Sequence, residues 1–215
     1  MTLEIDSVEL EYNGKKILYG IYMKLERGKI TGILGRNGSG KTSLLRILFG
    51  DLQPKYKSIR YNGKYLSRPL YTMEKISYLP QHPLLPKDLN MKRAFALFNV
   101  PWLQFINIFE SFQEYGETRI KDLSSGEIRV VETYLILMSN REIILLDEPF
   151  SFIAPIYIEK FKALILQVKK KSIVVLTDHF YNDILAVSDT VYLLKNGCSK
   201  KVEDRKALKG LGYIN

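Results

Sequence analysis

The chain has 215 residues, 46% of them hydrophobic and 26% charged, which is typical of a folded protein with one sizeable core rather than a disordered chain. Its net charge of +9 is compatible with a nucleic-acid or anionic-membrane partner, but the lysines and arginines are spread along the chain and accompany no recognition motif. No apolar run approaches the roughly 18 residues of a transmembrane helix, the N-terminus lacks a signal-peptide pattern, and the single Cys198 excludes an internal disulfide, so we expect a cytoplasmic protein.

The N-terminal part predicts an antiparallel β subdomain. Apolar and polar residues alternate over residues 3–10 and again over 21–25, which indicates strands that are buried on one face only. Asn62-Gly63, with apolar residues on both sides, is typical of the tight turn of a two-residue hairpin.

The rest of the chain alternates strands with helices. Parallel strands need crossover connections, so this alternation predicts an α/β fold with a mostly parallel sheet covered on both faces. The expected strands are 30–34, 76–79, 143–147, 172–177 and 191–194, and the expected helices are 42–50, 126–138, 156–170 and 182–187.

A small helical lobe is expected between two of these strands. Its pattern is helical over residues 91–112, and Pro101 marks the end of one helix and the start of a second. Aromatic residues recur there at spacings of three and four: Phe95, Phe98, Trp102, Phe105, Phe109 and Phe112. Most should form the core of the lobe, but a lobe this small buries a limited share of its surface. We therefore expect one or two of them to line a groove for a membrane subunit.

Residues 35–42, GRNGSGKT, match the phosphate-binding pattern GxxxxGK[ST] between a predicted strand and a predicted helix. Glycines let successive backbone N–H groups point at phosphate oxygens, and the helix start adds the positive end of its dipole. Lys41 is expected to reach the β and γ phosphates, and the Thr42 hydroxyl to complete a Mg²⁺ shell. The candidate nucleotide contacts are Gly35, Arg36, Asn37, Gly38, Ser39, Gly40, Lys41, Thr42 and Ser43.

Two carboxylates end the predicted strand 143–147. Asp147 has the position of a carboxylate that holds Mg²⁺, and Glu148, one residue further on, is suited to deprotonate an attacking water. An apolar run that ends in Asp-Glu is by itself weak evidence for a nucleotide site. About 100 residues after a phosphate-binding loop, it indicates nucleotide hydrolysis.

Residues 123–127, LSSGE, resemble the LSGGQ signature of the ABC ATPases, and three further residues match that family in the same order. Tyr12 is similar to the aromatic residue that stacks on adenine, Gln81 to the glutamine that contacts the metal, and His179 to the switch histidine that contacts the γ-phosphate. The resemblance adds Tyr12, Ser124, Ser125, Gly126 and Glu127 to the nucleotide contacts, and implies Glu148, His179 and Gln81 as catalytic residues and Thr42, Gln81 and Asp147 as metal contacts.

The resemblance also implies the cofactors and the partners. A P-loop NTPase core of this kind binds ATP and Mg²⁺, and the signature of one copy closes on the P-loop of another in a head-to-tail homodimer. Separate membrane-spanning subunits, and no nucleic acid, are the expected partners, with the chain peripheral on the cytoplasmic face. We expect one ABC ATPase domain over 1–215, with the core and β subdomain in 1–80 and 143–215 and the helical lobe, signature included, in about 82–140.

Two positions depart from the family pattern. Ala154 stands where the family usually has an aspartate that couples the two sites, and Ser125 replaces a glycine of the signature. Slower or uncoupled hydrolysis is therefore an open alternative, as in a regulatory ABC ATPase, and an ABC ATPase acting on nucleic acid or ribosomes is another. The runs DEPF and TDH resemble the lipopolysaccharide-export and branched-chain amino-acid uptake branches, which leaves cargo and direction open.

Overall fold

The computed structural model describes residues 1–210 and residue 213, and its first sheet is antiparallel. Strand β1 (Thr2–Tyr12) is central and pairs with β2 (Lys15–Leu18), β3 (Tyr22–Glu26) and β5 (Tyr56–Tyr61), and β5 pairs with β6 (Lys64–Tyr65). The register places Ile5 opposite both Met23 and Ile59, so the predicted alternation buries one face of the sheet. The expected antiparallel subdomain is present, and the Asn62-Gly63 turn has the positive φ angles of its tight hairpin.

The second sheet has six strands in the order β11-β10-β4-β9-β8-β7. Every neighbouring pair is parallel except β10 and β11, as expected for a mostly parallel sheet. The strands are β4 (Ile30–Gly35), β7 (Ile76–Leu79), β8 (Ile143–Asp147), β9 (Ile173–Thr177), β10 (Thr190–Lys195) and β11 (Cys198–Val202). Strands β4, β9 and β8 are adjacent and parallel, so their carboxyl ends lie at one edge, where such sheets bind ligands.

Helices cover both faces of this sheet. One core packs α1 between the two sheets, and the other packs α4, α5 and the lobe on the opposite face. The helices are α1 (Lys41–Phe49), α2 (Met91–Leu97), α3 (Trp102–Ile108), α4 (Ser125–Leu137), α5 (Pro155–Val168), α6 (Tyr181–Val187) and α7 (Arg205–Gly210). None of the helices formed by the described residues is long and apolar enough to span a membrane.

Most of the aromatic residues of the lobe form its core, as expected. Four of them, Phe95, Phe105, Phe109 and Phe112, are buried and pack around Tyr134 of α4 or Tyr157 of α5. The other two, Phe98 and Trp102, are partly buried against the same core, and none of the six is exposed. The expectation that most of the six form the core of the lobe is confirmed, and the lobe buries them because it also packs against α4 and α5. A groove for a membrane subunit beside the two partly buried residues remains a prediction.

Candidate functional site

The phosphate-binding loop joins β4 to α1. Gly40 caps α1 with a φ of 98°, and a Cβ there would lie 2.7 Å from the Leu18 side chain, so both conformation and space require glycine. No side chain caps α1, which leaves the positive end of its dipole available to an anion. The loop therefore has the form that a phosphate group needs.

Lys41 lies under this loop and is 6% exposed. Its Nζ donates to the carbonyl of Gly35 at 2.8 Å. Burial lowers the pKa of Lys41, and the carboxylates of Glu148, Asp147 and Asp178 oppose that shift only in part. A phosphate in the loop would stabilise the ammonium further, so the environment of Lys41 favours an anionic ligand.

Asp147 is completely buried at the end of β8. Its Oδ1 accepts a hydrogen bond from the Thr177 hydroxyl at 2.7 Å, and its Oδ2 accepts one from the Tyr78 hydroxyl at 3.2 Å. Burial, with the charge of Asp147 and their hydrogen bond adding to it, raises the pKa of Tyr78, so the phenol remains a donor. These two neighbours, from β9 and β7, fix the orientation of the carboxylate. The sequence analysis did not identify either of them.

The three predicted catalytic residues, Glu148, Gln81 and His179, meet at the Glu148 carboxylate. Its Oε1 accepts a hydrogen bond from Nε2 of Gln81 at 2.7 Å and lies 2.7 Å from Nε2 of His179. Its φ of 53° is unusual for a residue other than glycine, and its N–H donates to the carbonyl of Thr177 at 2.9 Å, which holds it in place. Residues in such conformations cluster at functional sites, because the surrounding structure has to offset their strain.

A cavity of about 480 Å³ opens between the loop and these side chains. Tyr12, 45% exposed, lies at its rim as expected for an adenine contact, and Ile17 of β2 is a lining residue that the sequence analysis missed. The remaining lining residues were all candidates: Asn37, Gly38, Ser39, Gly40, Lys41, Thr42, Ser43, Gln81, Glu148 and His179. Gly35 and Arg36 are not among them, and Arg36 lines a neighbouring cavity of about 550 Å³ instead.

The signature residues lie at the start of α4 and not in this cavity. Ser124 accepts a hydrogen bond from the N–H of Glu127 at 3.3 Å, and the Glu127 carboxylate accepts one from the N–H of Ser124 at 2.8 Å, which forms a capping box. Burial acts to raise the pKa of Glu127, but the hydrogen bonds that its carboxylate accepts from the hydroxyl and N–H of Ser124 and from Tyr115 outweigh burial and lower the pKa overall. All four signature candidates are described, and none of them lines the cavity of their own chain.

Gly126 packs directly on the loop that follows Glu148. A Cβ at Gly126 would lie 2.6 Å from the carbonyl oxygen of Phe152, which leaves no room for any larger residue. Ser125, in contrast, is exposed, so the structure accommodates its extra atoms without repacking. Ala154, at the other unusual position, is the N-cap of α5 and offers no side-chain hydrogen bond.

The donor set of the site fits Mg²⁺ bound together with phosphate. The Thr42 hydroxyl and the Asp147 carboxylate are oxygen ligands, which this ion prefers. No group of three or more His, Cys, Asp or Glu residues in the described part of the chain could hold a metal by itself. A metal here would therefore need oxygens from phosphate and water to complete its shell, as Mg²⁺ commonly does.

Comparisons with known proteins agree with this geometry. The chain is 29% identical over 208 residues to a high-affinity branched-chain amino acid transport ATP-binding protein, BraG, of Pseudomonas aeruginosa, covering 91% of this chain and 89% of the relative. It is 27% identical over 210 residues to a lipopolysaccharide export system ATP-binding protein, LptB, of Haemophilus influenzae, covering 91% and 87%. A solved ATP-binding subunit of an ABC transporter has the same fold, with a TM-score of 0.84 at 19% identity, covering 99% of this chain and 94% of that one. The model of the family described as ABC transporter matches residues 18–151, and the chain therefore belongs to that family and is an ATP-binding protein that hydrolyses ATP.

Proposed function

We propose that the chain is the ATPase subunit of a multi-subunit transporter and that two copies close head to tail around two ATP molecules. The proposal of a dimer rests on the separation, within one chain, of two features suited to bind phosphate, the P-loop and the start of α4. The cavity is lined by the P-loop and Glu148, whereas Ser124 and the start of α4 do not line it. A second copy that supplies its α4 start would close the cavity from the open side.

The candidate site residues have separable tasks in this proposal, including Asp147, which is buried beside the cavity and does not line it. Lys41 neutralises charge on the β and γ phosphates, and Thr42 and Asp147 hold Mg²⁺, which withdraws charge from the phosphate oxygens. Glu148 accepts the proton of the attacking water, while Gln81 and His179 fix its carboxylate through Oε1. Tyr12 stacks on the adenine, and the Ser124–Glu127 segment of the second copy contacts the γ-phosphate.

The membrane-spanning part of the transporter is proposed to be a separate chain, with this subunit on its cytoplasmic side. The names of both relatives describe ATP-binding proteins of transport systems, one for amino-acid transport and one for lipopolysaccharide export. Residues 1–215 would then act as a single ABC ATPase domain, in which residues of about 82–140 form the lobe beside Gln81. The two relatives differ in cargo and direction, so the class of cargo is left out of the proposal.

The test of the catalytic assignment is Glu148→Gln, which keeps the shape of the side chain but not its basicity. ATP hydrolysis should fall by about 10² or more, the scale of losing a general base, while ATP binding is retained. The variant should then accumulate an ATP-bound dimer, measured by light scattering after size exclusion. Lys41→Ala is the matched variant, and it should lose both ATP binding and the dimer. Unreduced turnover in Glu148→Gln would reject the assignment.

The membrane partner needs its own experiment. The chain would be purified by affinity from detergent-solubilised native membranes, and the copurifying chains identified by mass spectrometry. A stoichiometric chain with predicted membrane spans supports the proposal. Recovery in the ribosomal or nucleic-acid fraction instead, sensitive to nuclease, would favour the alternative function on nucleic acid or ribosomes.

A further inference from the structure

Helix α4 carries two buried charged residues, Arg129 and Glu132, that the site above does not use. Arg129 is 5% exposed, and its guanidinium donates only to main-chain carbonyls. Nη1 donates to the carbonyl of Pro80 at 2.6 Å, and Nη2 donates to that of Glu148 at 2.8 Å and to that of Asp147. One side chain thus joins α4 to the residue before Gln81, to the last residue of β8 and to Glu148, which follows it.

Glu132 lies three residues further along α4 and is 1% exposed. Its Oε1 accepts hydrogen bonds from the N–H of Leu84 at 2.5 Å and from the N–H of Leu85 at 2.9 Å. The segment 80–85 is therefore attached to α4 at both ends, through Pro80 and through Leu84 and Leu85. Gln81 lies between the two attachments, exposed, with its side chain on Glu148.

We propose that Arg129 and Glu132 are positioning residues that make the segment 80–85, the end of β8 and the start of α4 move as one body. A force applied to the segment 80–85 would then reach the Glu148 main chain and the signature together. The inference rests on the proposed role of Glu148 as the base. It assigns to α4 the connection between that base and the signature, whose last residue, Glu127, lies two positions before Arg129 on the same helix.

The chemistry of the two groups suits this role better than a purely packing role. Burying a guanidinium and a carboxylate costs free energy that apolar residues of similar volume would avoid. A planar guanidinium donates to the three carbonyls from two nitrogens held in a rigid fork, whereas lysine has a single nitrogen at the end of a flexible stem and does not fix the same geometry. Both residues therefore fix the main chain on which Gln81 and Glu148 are placed, and they do so with directional hydrogen bonds.

The first test is Arg129→Lys in the full chain, with Arg141→Lys as the control. Arg141 also donates to a main-chain carbonyl, that of Glu74, but it lies just before the start of β8, at the opposite end of that strand from Asp147, and its side chain is 38% exposed. Arg129→Lys should lower kcat for ATP hydrolysis by about 10-fold or more with KM for ATP within about threefold, because small misplacements of a catalytic group are costly. The control should keep both values. A kcat within twofold of the unmodified chain would overturn the proposal for Arg129.

The second test uses Glu132, and it decides the question if Arg129→Lys does not fold. Glu132→Met removes the acceptor and should lower kcat by about 10-fold, whereas Glu132→Gln keeps an acceptor oxygen at the same place and should restore kcat to within about threefold. A purely structural role would lower the melting temperature of the Met variant and leave the kcat of its folded fraction unchanged. Equal kcat values in the Met and Gln variants would overturn the proposal.

A double-mutant cycle separates this inference from the assignment of Glu148. If Arg129 acts through the Gln81–Glu148 contact, Arg129→Lys combined with Gln81→Ala should lose no more than the larger single effect. Additive losses would mean that Arg129 acts elsewhere and would overturn the inference. Normal turnover in Glu148→Gln would instead remove the proposed base, whatever the cycle shows.

Discussion

Thr177 has a hydroxyl that donates to Asp147 and accepts from the N–H of Glu148, and the first of these hydrogen bonds has the clearest consequence. Its hydroxyl holds the Oδ1 atom of Asp147 at 2.7 Å in a fully buried position. Thr177→Val keeps the shape but removes this donor, so the carboxylate is free to turn away from Mg²⁺. The Mg²⁺ concentration for half-maximal hydrolysis should rise about 10-fold, the lower range for partners of metal ligands. Thr177→Ser retains the hydroxyl and should behave as the unmodified chain, and an unchanged Mg²⁺ requirement in the Val variant would contradict the assignment.

Residues of the site differ in how far the sequence alone could identify them. The P-loop is local, so its pattern in residues 35–42 was sufficient to predict residues 37–42 of the cavity lining, although Gly35 and Arg36 do not line it. Gln81 and His179 came from a family resemblance, and the structure brings both to Glu148. The roles of Arg129 and Thr177 could not be predicted, because their hydrogen-bond partners lie 18 to 49 positions away in the chain and only the fold brings them close.

At the scale of elements, α5 begins without a side-chain cap. Ala154 is its N-cap, and Pro155 occupies the first turn. Asparagine or aspartate at this position would accept a hydrogen bond from the free N–H groups of the first turn. Ala154→Asn and Ala154→Asp should each raise the free energy of unfolding by about 1 kcal/mol, measured by urea denaturation. A neutral or destabilising effect of both would show that the loop before α5 cannot present a side chain to the helix.

The same pair of variants separates capping from coupling between the two sites. If the missing aspartate weakens coupling through its charge, only Ala154→Asp should raise the ATPase rate or its Hill coefficient in the assembled transporter. Ala154→Asn supplies the cap without the charge and serves as the control. Identical kinetics in the two variants and the unmodified complex would mean that the coupling of the sites does not depend on this side chain.

The capping box at the start of α4 makes stability depend on pH. The pKa of Glu127 is lowered in the folded chain: burial alone would raise it, but the hydrogen bonds from Ser124 outweigh burial. A depressed carboxyl pKa contributes stability above the unfolded value and loses it as the pH falls through the folded value. Glu127→Gln should therefore be less stable than the unmodified chain at neutral pH, and the difference should vanish in acid. A difference in stability between the two chains that stays constant from pH 7 to below the ordinary pKa of glutamate would contradict this prediction.

Elements that the sequence did not predict have recognisable physical reasons. Strand β2 has only four residues, two of them lysines, and is too short to show an alternation of apolar and polar residues. Strand β11 is an edge strand with two exposed lysines, typical of strands that must not pair with another chain. The lobe was predicted as helical, but the burial of its aromatics depends on α4 and α5, which no local pattern reveals.

At the scale of the whole molecule, the alternation of strands and helices was sufficient to predict the α/β architecture but not the geometry of the site. The parallel order β4-β9-β8 puts the P-loop, the residues after β9 and the Asp147-Glu148 pair at one edge. The start of α4 is close to Glu148 through Gly126 and Phe152, yet it does not enter the cavity. Only the three-dimensional arrangement shows that the Asp147-Glu148 pair meets the P-loop whereas the start of α4 stays outside the cavity. The position of α4 outside the cavity motivates the proposed dimer.

The net charge gives the dimer a testable dependence on salt. Each copy carries +9, so bringing two copies together is opposed by repulsion between like charges. Screening should reduce this repulsion, since the Debye length falls from about 30 Å at 0.01 M to about 8 Å at 0.15 M salt. With ATP saturating throughout, the Glu148→Gln dimer should bind several-fold more tightly at the higher concentration, measured by sedimentation velocity.

A variant of lower charge provides the control for this salt dependence. Lys200 and Lys201 are exposed on the edge strand β11, and Lys200→Glu with Lys201→Glu lowers the net charge by four, from +9 to +5. In the Glu148→Gln background this variant should dimerise more tightly at low salt and respond less to added salt. Dimers that instead dissociate as salt is added would mean that ion pairs across the interface outweigh the net repulsion. A chain whose charge serves nucleic-acid binding would show the opposite dependence for its ligand, because counterion release makes that binding weaker as salt rises.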